Sequence, residues 1–174
     1  KNLTFSYDIE NSSNKKNVLE NLNFEIKKGD FIGIFGESGS GKSTFIDILI
    51  GLHTANKGEI LVDGNNIQSN VKSWQNLIGC VPQEVFILDN TLKKNIAFGL
   101  SEEKISDKNI ERTLKFSNLL KFSNSLENGV NTMIGEKGSR ISGGQKQRIG
   151  IARAIYSNPE ILIFDESTNS LDVE

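Results

Sequence analysis

The sequence predicts an α/β protein built on a mainly parallel sheet, and three observations carry that prediction. Two short runs, FIGIFG at Phe31–Gly36 and ILIFDE at Ile161–Glu166, are nearly continuous apolar stretches. A parallel strand covered on both faces has this composition, because neither side of it meets water. Stretches of helical length separate the apolar runs, and strands that alternate with helices build parallel sheets through crossover connections. The third observation is a glycine-rich segment, GESGSGKST at Gly36–Thr44, at the seam between the first apolar run and a helix.

Each element follows in order. LTFSYD (Leu3–Asp8) alternates apolar and polar residues and reads as a half-buried strand. Asn11–Asn17 is a polar loop. Val18–Asp30 reads as a second alternating strand, closed by a turn at Lys28-Gly29-Asp30, and the two form an N-terminal antiparallel β subdomain. Residues 42–52 read as a buried helix, followed by a turn at Asn56–Gly58. GEILVDG (Gly58–Gly64) is a strand ending in a tight turn, and NLIGCVPQ (Asn76–Gln83) is another apolar strand, stopped by Pro82. From about Glu84 to Gly138 the apolar residues fall at helical spacing, as at Ile110 and Leu114 and, after a phase slip, Leu119 and Leu120. This middle part is predicted to be a helical subdomain inserted into one domain spanning 1–174, with residues 1–83 and 139–174 as the core.

The totals exclude several classes. The 174 residues suffice for one domain with a real core, and 36% hydrophobic with 24% charged residues is ordinary globular composition. A net charge of -2 gives no electrostatic footprint for nucleic acid. The pairs Lys15-Lys16, Lys27-Lys28 and Lys93-Lys94 read as solvated charges. The single cysteine, Cys80, forbids an internal disulfide and reads as a small buried residue. Trp74 reads as packing. FIDILIGL is interrupted by Asp47 and falls far short of the roughly 20 apolar residues that span a bilayer. No signal peptide is visible at the start.

Gly36–Ser43 matches G-x-x-x-x-G-K-[ST] in full. At average composition the pattern arises by chance about once in 200 chains of this length. Here it also follows an apolar strand and opens a helix. Its glycines allow backbone N–H groups to wrap phosphates, and the helix N-terminus adds partial positive charge. Lys42 reaches the β- and γ-phosphates, and the Ser43 hydroxyl binds Mg²⁺. The expected phosphate-binding set is Gly36, Glu37, Ser38, Gly39, Ser40, Gly41, Lys42, Ser43 and Thr44. Strand ILIF would deliver Asp165 and Glu166 to the carboxyl edge of the sheet, where ligands of open α/β sheets bind. Asp165 would hold Mg²⁺ through its water shell. Glu166 would act as general base toward the attacking water.

A second phosphate-type device lies at RISGGQKQR (Arg140–Arg148), where a Ser-Gly-Gly opens another predicted helix. ISGGQ followed by KQR resembles the signature of ATP-binding-cassette (ABC) ATPases, with Ile141 where the family usually has leucine. Other motifs appear in the family's order, and the resemblance covers essentially the whole chain. Tyr7 in FSY resembles the aromatic residue that stacks on adenine, with packing beside Phe5 as its rival role. Gln83 in VPQ resembles the glutamine that senses Mg²⁺ and the γ-phosphate, which makes it both a catalytic and a metal-site candidate. STNSLD (Ser167–Asp172) resembles the loop that reaches across the dimer interface.

The resemblance implies a P-loop NTPase core whose cofactors are ATP and Mg²⁺. It implies a head-to-tail pair of domains, each ATP held between one copy's phosphate loop and the other's Ser142, Gly143, Gly144 and Gln145. VPQEVFILDNTLKKNIAFG (Val81–Gly99) and MIGEKGSRISGGQ (Met133–Gln145, with Glu136) resemble exporter-type domains. They imply a transmembrane domain as partner, on the same full-length chain, and a place at the cytoplasmic face of a membrane. An importer subunit and a soluble ABC ATPase are the alternatives. Arg148 and Arg153 are expected to be structural ion-pair partners. The family's γ-phosphate histidine lies beyond the second acidic strand, whereas His53 lies after the first helix, so His53 reads as a surface or subdomain residue. The chain ends at Glu174, before that histidine would fall, so the native chain is expected to be longer and hydrolysis by this portion alone to be weak.

Overall fold

A computed structural model describes residues 1–7, 17–135 and 141–165. The chain divides into two compact units, Lys1–Gln75 and Asn76–Glu174.

In the first unit, β1 (Leu3–Phe5) pairs antiparallel with β2 (Leu19–Leu22), with Leu3 opposite Leu22 and Phe5 opposite Leu19. Alternation turns Leu3 and Phe5 inward, where they meet Phe45 and Ile48 of α1 (Lys42–Leu49) in one core. β3 (Leu61–Val62) and β4 (Asn65–Asn66) form a hairpin whose turn residues, Asp63 and Gly64, both have positive φ, +48° and +83°. Asp-Gly is a favoured pair for such a turn, because it matches the twist of the strands it joins. Asn66 then caps a short 3₁₀ turn through its side chain, and α2 (Val71–Gln75) follows. Trp74 packs as expected: it is buried and its indole N–H donates to the Leu49 carbonyl at 2.7 Å.

Three strand expectations in this unit need correction. Val18–Asp30 is a strand only at Leu19–Leu22, and Phe24 and Ile26 beyond it are about half exposed. GEILVDG shortens to the two residues of β3. Phe31–Gly36 is not a strand among the described residues, and Phe31 and Phe35 are fully exposed. For Phe31–Gly36 the physical reason is a missing partner. An apolar run becomes a buried strand only where neighbours supply its ladder and cover its faces, and none of β1–β4 pairs with residues 31–36.

In the second unit, β5 (Ile78–Val81) and β8 (Ile161–Phe164) pair in parallel, from Ile78 opposite Ile161 to Val81 opposite Phe164. A parallel pair of apolar strands fits the expected α/β class, although its members are 78–81 and 161–164 and not the run at Phe31–Gly36. Burial of β8 is less complete, with Leu162 and Phe164 about half exposed. Cys80 is partly rather than fully buried. Helix α6 (Gly143–Tyr156) packs on β5, and Gly79 permits the close approach: a Cβ there would lie 2.3 Å from the Ala154 carbonyl oxygen.

The predicted helical stretch contains α3 (Leu92–Ile96), α4 (Asp107–Phe116) and α5 (Leu120–Ser125). A short ladder between β6 (Asn90–Thr91) and β7 (Met133–Ile134) closes it. Ile110, Leu114 and Leu119 are buried with Ile149 of α6 in one core. The phase slip in the sequence marks a real break, since α4 ends at Phe116 and Asn118 adopts a left-handed φ of +55°. Lys93 and Lys94 are ion-paired rather than merely solvated: Lys93 to Asp107 at 3.0 Å and Lys94 to Glu102 at 2.7 Å.

Candidate functional site

The phosphate loop leads directly into α1. Gly39 and Gly41 have φ of +78° and +91°, a region costly for any residue with a side chain, so glycine is required at both. Gly41 is the N-cap, and no side chain caps the helix. The first-turn N–H groups are therefore left to an anion or to water. Lys42 Nζ donates to the carbonyls of Gly36 and Glu37, both at 2.9 Å, which holds the ammonium over the loop. Glu37, Ser38, Ser40 and Ser43 are exposed, so the Ser43 hydroxyl is accessible to a cation. Thr44 is turned the other way and buried.

Thr44 Oγ1 lies 3.0 Å from the hydroxyl of Tyr7. Tyr7 remains 43% exposed, which leaves ring surface for a ligand. Its ring meets Phe5 edge-to-face at 5.0 Å and His53 edge-to-face at 5.6 Å. His53 in turn stacks on Phe5 at 5.5 Å. The packing role and the ligand role of Tyr7 are thus compatible. His53 is no loose surface residue but part of the aromatic support of Tyr7. Sequence reasoning missed this because the contact joins a strand to the residue region after α1, with no local pattern to show it.

The second unit brings Gln83 and Asp165 to one edge. The Asp165 N–H donates to the Val81 carbonyl at 3.0 Å, so Asp165 continues β8 at the carboxyl end of the parallel pair, and Gln83 follows β5 at the same end. Both are placed where ligands of parallel sheets bind. Glu166, Glu136, Arg140 and Ser167–Asp172 lie outside the described residues.

The signature segment is a capped helix start. Ser142 Oγ accepts from the Gln145 N–H at 3.2 Å, and Gln145 Oε1 accepts from the Ser142 N–H at 2.8 Å. This capping box uses two of the four N–H groups that lack an intrahelical acceptor. The N–H groups of Gly143 and Gly144 are the other two. Among the described residues nothing lies within 4 Å of a Cβ built on Gly143, so its missing side chain serves no packing need there. Arg153 departs from expectation: among the described residues its partners are carbonyl and amide oxygens, not an ion-pair carboxylate.

Comparison with known proteins covers nearly the whole chain. The sequence profile of the family described as ABC transporter matches residues 19–169. A putative export ATP-binding/permease protein of Rickettsia typhi is 43% identical over 173 residues, covering 99% of this chain and 29% of that protein. Mouse ATP-binding cassette sub-family B member 5 is 43% identical over 175 residues, covering all of this chain and 14% of that protein. A solved structure described as a bacterial Atm1-family ABC exporter with ATP bound superposes with a TM-score of 0.86 at 36% identity, over 99% of this chain and 29% of that one. The chain thus spans less than a third of the length of these relatives. The family match over residues 19–169 and the 43% identity to an export-named relative over 99% of the chain establish that the chain belongs to the ABC transporter family, whose ATPase domain it carries.

Proposed function

We propose that the chain is the ATP-hydrolysing motor of a membrane exporter, working as a head-to-tail pair of identical domains at the cytoplasmic membrane face, fused in the native chain to a transmembrane domain. The observation that carries the reading is the pair of open helix N-termini. One, at Gly41, belongs to a complete phosphate loop; at the other, a Cβ on Gly143 would meet nothing among the described residues. The export names of the relatives favour the exporter over an importer subunit or a soluble ATPase.

In this reading Tyr7 stacks on adenine, and the N–H groups of Gly36–Thr44 and the Lys42 ammonium hold the β- and γ-phosphates. Ser43 and Asp165 offer the hard oxygen donors that suit Mg²⁺, and Gln83 adds an amide oxygen. When bound, the ion neutralises charge developing on the phosphate oxygens. Glu166 takes a proton from the water that attacks the γ-phosphorus, and the bond to the ADP oxygen breaks. The partner copy's signature donates its glycine N–H groups to the γ-phosphate. Hydrolysis removes that phosphate and with it the link between the copies.

Ser142→Arg tests the reading in the full-length protein. Nucleotide binding should remain within about threefold, because the phosphate loop is untouched, while ATP hydrolysis is lost. Loss of ATP binding together with hydrolysis would place the signature in the binding site of its own copy and contradict the paired arrangement. Glu166→Gln should trap bound ATP; rapid turnover by that variant would remove Glu166 from the role of base.

A further inference from the structure

Arg153 stands in the last turn of α6 with its guanidinium turned into the protein. Its Nε donates to the Asn95 carbonyl at 2.6 Å, Nη1 to the Phe86 carbonyl at 2.6 Å, and Nη2 to Asn95 Oδ1 at 2.9 Å. The cation also lies 4.7 Å from the centre of the Phe98 ring. Burial pushes its pKa below the ordinary guanidinium value. A cation held by neutral oxygens costs desolvation that a well-packed apolar side chain would avoid. What arginine adds is geometry, because its planar fork fixes several acceptors at once.

Asn95 is fully buried and acts as a knot. Its Oδ1 also accepts from the Leu88 N–H, and its Nδ2 donates to the carbonyls of Leu88, Asn90 and Thr91. Residues 86–89 have no helix or ladder of their own; Arg153 holds the Phe86 carbonyl, Asn95 holds the Leu88 backbone, and Ile87 packs against the core that includes Ile149. This segment begins just after Gln83. The other end of α6 carries Ser142 and Gly143. One helix thus joins the bonds made to the segment after Gln83 with the signature at its other end.

We propose that Arg153 and Asn95 are positioning residues that lock the segment following Gln83 to the signature helix, so that the glutamine and the signature engage ATP in one step. The inference rests on the function proposed above.

The test uses the full-length protein in lipid nanodiscs. Arg153→Lys keeps the charge and removes the fork. ATPase kcat should fall about tenfold with KM for ATP unchanged, within the range of measured site couplings. Amide hydrogen exchange should quicken together at residues 86–91 and 142–146, with 149–155 still protected. A purely local structural role would quicken exchange only around 95 and 153 and leave kcat per folded molecule unchanged, which would overturn the proposal. The wild type gives a second arm if the variant fails to fold. ATP with Mg²⁺ should protect residues 86–91 and 142–146 together, and protection of one without the other also overturns it. Ser142→Arg runs alongside. If the wild type and Ser142→Arg hydrolyse ATP equally, the functional reading fails. If Ser142→Arg is inactive while Arg153→Lys matches the wild type, only the lock fails.

Discussion

The Tyr7 hydroxyl and Thr44 Oγ1 lie 3.0 Å apart across 37 positions of sequence, joining the end of a strand to the last residue of the phosphate loop. The ring that would carry the base and the loop that would carry the phosphates are therefore one connected piece. Tyr7→Phe should leave the buried Thr44 hydroxyl short of a partner and lower stability by about 1 kcal/mol, with ATP affinity within about threefold of wild type. Tyr7→Ala should weaken ATP by about tenfold or more, since base–aromatic stacking contributes about 1–3 kcal/mol. Calorimetric titration of both variants separates the hydroxyl from the ring; unchanged affinity in Tyr7→Ala would remove the ring from the site.

Lys42 is held over its loop by the carbonyls of Gly36 and Glu37. A compact ammonium fits between two carbonyls, whereas a planar guanidinium does not. Lys42→Arg should therefore fail like Lys42→Ala, with hydrolysis lost and ATP affinity reduced about tenfold or more. Full activity in Lys42→Arg would show that charge alone suffices.

Two glycines should separate stability from function. At Gly79 an added Cβ would meet backbone of α6, so Gly79→Ala should destabilise the fold by about 1–3 kcal/mol. At Gly143 an added Cβ meets nothing within 4 Å among the described residues, and alanine is a better helix former. Gly143→Ala should keep or raise the melting temperature and still lower kcat, because the close approach it blocks is to the partner's nucleotide. A melting curve and a turnover assay on each variant check the pair; normal turnover in Gly143→Ala would count against the signature's role.

The helical part carries a modest acid dependence. Hydrogen bonds from Lys94 and Lys93 hold the Glu102 carboxyl below its ordinary value, and Lys115 does the same for Glu111. A depressed carboxylate contributes stability that is present above its unfolded pKa and lost as pH falls through the folded one. Melting temperature should therefore drop as pH falls below about 4, and Glu102→Gln should flatten that drop. Both groups are exposed, so the effect should shrink in high salt. An identical acid profile for Glu102→Gln would show that these pairs contribute nothing.

Motifs that are continuous in sequence are legible from the residues themselves. The phosphate loop, the signature and the Gln83 segment each need a few adjacent residues in a local conformation, and local chemistry writes itself locally. That the apolar runs at 78–81 and 161–164 are strands is legible as well, because burial demands composition, whereas their pairing with each other is seen only in the structure. Phe31–Gly36 shows the limit of that argument, since apolar composition states what a run requires and not which strands stand beside it. The placement of His53 beside Tyr7 and of Arg153 against Asn95 is hidden for a related reason. The sequence around His53 and Arg153 names no partner for either, and only the tertiary contact shows what each one supports.

Disulfide trapping tests the central claim most directly. With Cys80→Ala as background, Ser38→Cys in one copy of the full-length protein and Ser142→Cys in another would be mixed and oxidised. A cross-link between the two copies that forms with ATP and Mg²⁺ and is weak without nucleotide is the predicted result. A cross-link that ignores nucleotide, or one that forms only when both cysteines sit on the same chain, would contradict the paired-site account.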